Sequence, residues 1–143
     1  YIYIYIYMCR CLFAYLCIVN SVKSQSIRDL EGTWVGSYFC SLGKTGLRLK
    51  IHSISERNQT FKGSFEFYPI NSNKNCAVIE LGKYNFIGVY NSKNDISFSF
   101  ESWVFKPNGW TYVDKKGGFR GKDQLVGKML SETCGNFKVK RVQ

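Results

Sequence analysis

The sequence has one histidine, His52, and only ten acidic residues against twenty basic ones. A single histidine leaves little room for imidazole metal sites or histidine-based nucleophilic catalysis. His52 follows Leu47-Arg48-Leu49-Lys50-Ile51, an alternating run that turns it outward with Arg48 and Lys50. Neighbouring cations oppose its protonation and make it a poor general base. No serine nucleophile elbow, His/Cys cluster of metal-site spacing or glycine-rich phosphate loop is present. Glu66 and Glu101 read as outward strand residues, so the carboxylates show no pairing of the glycosidase kind. These absences predict a non-enzyme with no catalytic residue, no cofactor and no metal, a hydrolase being the remaining alternative. After residue 26 there is no apolar run of membrane-spanning length, hardly any helical periodicity and no repeat strong enough for a solenoid or propeller.

What the sequence does have is aromatic residues and positive charge. It holds 11 Phe, 10 Tyr, 3 Trp and 13 Gly, with a formal net charge of +10. Aromatic residues favour pleated, half-buried surfaces. The charge steers partners without deciding the fold.

Residues 1–7 alternate Tyr and Ile, as a translated TA tract would. They are expected to be an artefact ahead of Met8, the alternative being an edge strand. Residues 8–24 have the plan of a secretory signal peptide: Arg10, an apolar run from Cys11 to Val19, then Val22 and Ser24 at the small-residue positions. An uncleaved anchor is the alternative. The expectation is a secreted, extracellular domain over residues 25–143. That domain keeps Cys40, Cys76 and Cys134. An odd number predicts one bridge and one thiol free to pair with another molecule. Asn58-Gln59-Thr60 is a glycosylation sequon in a polar turn, which makes Asn58 a candidate glycan site.

The rest reads as strands. Residues 32–40 carry Trp34, Gly36, Tyr38 and Cys40 on one face, because alternate strand residues point to opposite sides. Leu47, Leu49 and Ile51, then Phe61, Gly63, Phe65 and Phe67, then Tyr84, Phe86, Gly88 and Tyr90, then Ile96, Phe98 and Phe100 repeat the pattern. Trp110, Tyr112 and Val113 read as a sixth strand after the Lys106-Pro107-Asn108-Gly109 turn, and Lys115 to Gly118 as its break. Leu125–Leu130 and Asn136–Val142 follow as strands seven and eight. About eight short strands with short connections predict an all-β, single-domain antiparallel up-and-down barrel.

Closure of such a barrel makes the first and last strands neighbours. Placing Trp34 opposite Arg141 puts Gly36 opposite Val139, Tyr38 opposite Phe137 and Cys40 opposite Gly135. A small bulge at Cys134-Gly135 then joins Cys40 to Cys134; Cys40–Cys76 is the rival pairing. Arg141 either lies over the Trp34 ring or reaches solvent at the barrel rim.

Gly32-Thr33-Trp34 opens its strand as the Gly-x-Trp element opens lipocalins and avidins, the calycin barrels. Arg141, near the end of the last strand, resembles the lipocalin arginine that packs on that tryptophan. The resemblance implies a meander barrel with an interior cavity. It carries over no ligand-contacting residue, and the sequence shows no C-terminal helix of the lipocalin kind.

Two binding modes follow. A small apolar or aromatic ligand would sit inside the barrel against Trp34, Tyr38, Phe65 and Phe98. Alternatively, a filled barrel would act through its surface, binding an extracellular polyanion or a protein partner at Lys115, Lys116, Arg120 and Lys122, extended by Lys128, Lys138 and Lys140. Nucleic acid is not an expected partner. Trp103, Phe105, Trp110 and Tyr112 flank the Pro107 turn and are either core at one barrel end or a ligand rim.

Overall fold

A computed structural model describes residues 24–70, 80–91 and 93–142. Residues 1–23, which hold nearly all of the expected signal peptide, and Cys76 lie outside the described residues. Eight strands run in sequence order: β1 Gly32–Cys40, β2 Gly43–Ser55, β3 Thr60–Pro69, β4 Gly82–Asn91, β5 Asp95–Phe105, β6 Lys115–Phe119, β7 Gln124–Met129 and β8 Cys134–Val142. Each pairs antiparallel with the next, and β1 pairs with β8 to close the barrel. A short 3-10 turn, Ile27–Leu30, precedes β1. Among the described residues no helix is long and apolar enough to cross a membrane.

The seam follows the expected register, with Trp34 opposite Arg141, Gly36 opposite Val139 and Tyr38 opposite Phe137. A bulge between Tyr38 and Cys40 brings Cys40 opposite Cys134, and the two are disulfide-bonded across 94 residues of sequence. On the chain-entropy account such a loop stabilises the fold by about 4–5 kcal/mol. At the other end of the same seam the Arg141 guanidinium lies 4.1 Å from the Trp34 ring centre. The arginine donates to the carbonyls of Glu31, at 2.7 Å, and Asp29. Trp34 Nε1 donates to the Leu30 carbonyl at 2.9 Å. The 3-10 turn is thereby held across that end, with Ile27 and Leu30 buried beneath it.

The interior is packed with rings. Trp34 meets Phe119 edge-on, and Phe98 makes edge contacts with Phe61, Phe86 and Phe137. Phe65 stacks on Tyr84 with centroids 4.8 Å apart.

The sixth strand differs from the sequence reading. Residues 110–114 are irregular, and Lys115–Phe119, read as a break, is β6. Gly117 in this strand has a packing reason. Gly117 faces Gly127 on β7, and the Phe137 ring lies against both. A Cβ on Gly117 would run into the Val126 carbonyl, and one on Gly127 into the Lys116 carbonyl. β5 pairs with β6 only through Ile96, Ser97 and Phe98. Its far half therefore projects past β6, and the chain from 106 to 114 must return to the barrel.

Candidate ligand pocket at the barrel mouth

The two barrel ends are built differently. The Trp34 end is sealed by the 3-10 turn and Arg141. The Cys40–Cys134 end carries an open cavity of about 290 Å³, at the lower edge of the ~300–1,000 Å³ usual for small-molecule sites. Tyr38, Phe65, Phe67, Tyr84, Trp110 and Met129 supply its apolar wall, with Ser131, Thr133 and the disulfide at its edge.

The returning connection forms one side. Pro107 is buried, Gly109 takes a positive φ of 77°, and the Trp110 N–H donates to the Pro107 carbonyl at 3.3 Å. This turn delivers the Trp110 ring onto Phe67, stacked at 4.9 Å. Tyr112 stacks on Phe100 at 4.1 Å, and the Asp114 carboxylate accepts the Phe100 N–H at 2.9 Å. Of the four aromatic residues around the turn, Trp103 and Trp110 are half-buried, while Phe105 and Tyr112 are exposed. Trp103 and Trp110 pack against the core, and of the four only Trp110 borders the cavity.

Beneath the cavity lies Lys115, 1% exposed. It shares its strand parity with Gly117 and Phe119, so its side chain enters the barrel. This corrects its expected place on the basic surface. Its Nζ is 4.2 Å from the Phe65 ring centre, 5.1 Å from Tyr84, 5.5 Å from Phe98 and 5.6 Å from Phe86. It donates to the Tyr84 hydroxyl at 3.2 Å and the Val113 carbonyl at 3.4 Å. Tyr84 donates in turn to the Val113 carbonyl at 2.9 Å. Among the described residues no carboxylate lies within ion-pair distance of the amine. Burial lowers its pKa to about 7, against the weaker opposing pull of Asp114. Burial also holds the Tyr38 and Tyr84 hydroxyls far above the ordinary phenol range, so both stay neutral.

Of the four residues expected to line a ligand cavity, Tyr38 and Phe65 do so. Trp34 and Phe98 face inward but do not border the cavity, because neighbouring rings fill the barrel at their depth. Trp110, expected as core or as ligand rim, also lines it, while Phe67, Tyr84, Met129 and the interior place of Lys115 were missed. The alternation Lys115, Gly117, Phe119 was the signal for the last of these.

Outside, Lys116, Arg120 and Lys122 are exposed. Lys116 is the cross-strand partner of Lys128, while Lys138 and Lys140 on β8 pair with Val126 and Gln124 on β7. His52 is exposed, as expected, with its Nδ1 2.9 Å from the Ser53 hydroxyl. Glu66 and Glu101 form surface ion pairs with Arg48 and Lys62, each at 2.8 Å. Asn58 is exposed in the β2–β3 turn.

No family model matches the sequence, and no curated protein is similar to it. Two designed proteins among solved structures share the architecture. A redesigned β-barrel is similar over 86% of this chain and 99% of its own, with a TM-score of 0.57 and 12% identity. A de novo barrel from the design of a fluorescence-activating barrel is similar over 81% of this chain and 96% of its own, with a TM-score of 0.56 and 12% identity. At that identity the likeness establishes the closed barrel fold alone.

Proposed function

We propose that the protein is a secreted, calycin-like carrier that holds a small apolar or aromatic molecule in the mouth of its barrel and performs no catalysis on it. The observation that carries this reading is the cavity between Trp110 and the Cys40–Cys134 bridge, walled by six large apolar or aromatic side chains. Calycin likeness is supported by the Gly32-Thr33-Trp34 opening and the arginine stacked on that tryptophan. The apolar leader and the disulfide support export. Asn58 is then a glycan site and Cys76 the thiol available to another molecule. Native mass spectrometry of protein from its natural source tests the carrier reading. A retained small molecule supports it; bare protein that also takes up no apolar probe contradicts it.

A second reading rests on a different observation. Lys116 and Lys128 face each other across β6 and β7 with no acid within ion-pair distance of either among the described residues. Like charges directly opposed are unfavourable in a sheet. An extracellular polyanion lying across Lys116, Arg120, Lys122, Lys128, Lys138 and Lys140 relieves that repulsion.

A further inference from the structure

Lys115 is a buried amine with no carboxylate within ion-pair distance among the described residues. The rings of Phe65, Phe86 and Phe98 and the hydroxyl of Tyr84 face its amine from β3, β4 and β5. Met129, its cross-strand partner on β7, is apolar. Tyr38 on β1 is held neutral by burial. Asp114 is the acid whose charge reaches the amine, and its carboxylate is engaged by the Phe100 N–H. Three groups that touch the amine, Phe65, Tyr84 and Val113, also line the cavity. A molecule seated in the mouth is thus separated from Nζ by no more than one side-chain layer. A charge buried without a partner is unfavourable, and a group that neutralises it is strongly favoured.

We propose that the ligand of the barrel mouth is a small apolar acid, whose carboxylate reaches down to Lys115 and the Tyr84 hydroxyl while its hydrocarbon part packs against Phe67, Trp110 and Met129. The proposal rests on the carrier reading and adds the polar group that the ligand bears. Phe65 and Tyr84 give way at the floor for the carboxylate to make direct contact. Tyr84 becomes the second donor when its hydroxyl, which stays protonated, turns its proton from the Val113 carbonyl to the carboxylate. The amine, poised near neutrality when the cavity is empty, takes a proton as the carboxylate arrives. Binding of the acid at mildly alkaline pH therefore consumes a proton, and binding of an uncharged analogue does not.

Isothermal titration with octanoate, 1-octanol and methyl octanoate at pH 8 and physiological salt tests this, using two buffers of different ionisation enthalpy. The expected result is at least a tenfold preference for octanoate, with proton uptake for octanoate alone. In Lys115→Met both the preference for the acid and the proton uptake disappear. Equal affinity for the three compounds, or an acid preference that survives in Lys115→Met, overturns the proposal; the latter assigns the acid to the cationic surface. Failure of all three to bind contradicts the carrier reading itself. Proton uptake is read on the unmodified protein, so that arm holds even if the variant does not fold.

Discussion

The Lys115 amine and the Tyr84 hydroxyl lie 3.2 Å apart inside the barrel, although lysines elsewhere on the chain crowd its outer surface. Lys115 is the feature that most separates this interior from a purely apolar one. Burying it uncompensated works against folding, so its position calls for a reason beyond stability.

Lys115 makes stability depend on pH in a definite direction. Its folded pKa, about 7, is below the ordinary lysine value of 10.5. Between those values the unfolded chain binds a proton that the native protein does not, so stability rises with pH by up to about 1.4 kcal/mol per unit and levels off below pH 7. Urea unfolding of the ligand-free protein from pH 7 to 10 should show that rise, and Lys115→Met should flatten it. A wild-type profile as flat as the variant's would contradict the buried, unpaired amine.

The disulfide fastens the open end of the seam. Replacing Cys40 and Cys134 together by serine should lower stability by up to about 4–5 kcal/mol. Non-reducing peptide mapping should recover Cys40 joined to Cys134. A Cys40–Cys76 peptide would overturn the pairing.

Arg141 locks the sealed end. Arg141→Met removes a cation–π contact and charge-assisted bonds to the Glu31 and Asp29 carbonyls. The expected loss is about 2–4 kcal/mol in urea unfolding. A loss below about 0.5 kcal/mol, the range of an ordinary surface substitution, would show that the 3-10 turn holds without it.

The cationic surface predicts retention on heparin. Neutralising Lys116, Arg120 and Lys122 should shift elution to lower salt, while Lys115→Met should leave it nearly unchanged, because that amine is buried. Unchanged retention in the triple variant would remove the polyanion reading.

The barrel and its seam were legible because both edge strands carry large residues on a single parity. Trp34, Gly36 and Tyr38 meet Arg141, Val139 and Phe137 in one register, and the cysteines fall where a bulge can join them. The sixth strand was not legible. Lys115-Lys116-Gly117-Gly118 has the composition of a turn, and its glycines are needed for close approaches, of Gly117 to β7 and Phe137 and of Gly118 to Asn94, that no local pattern records. Misreading that strand moved Lys115 from the interior to the surface. Parity also says which rings face inward but not how deeply they pack, so Trp34 and Phe98 looked equivalent to Tyr38 and Phe65. Trp110 reaches the pocket from an irregular segment, where period-two reasoning has no purchase.

Met129 offers the most direct test of the mouth pocket. It borders the cavity, and the chain has only one other methionine, Met8. Methyl-detected NMR should follow the Met129 methyl and the Trp110 indole during titration with octanoate. The account predicts saturable shifts at both, with the Trp34 indole at the sealed end unmoved. Shifts confined to surface lysines, or a Met129 signal that never moves, would contradict it.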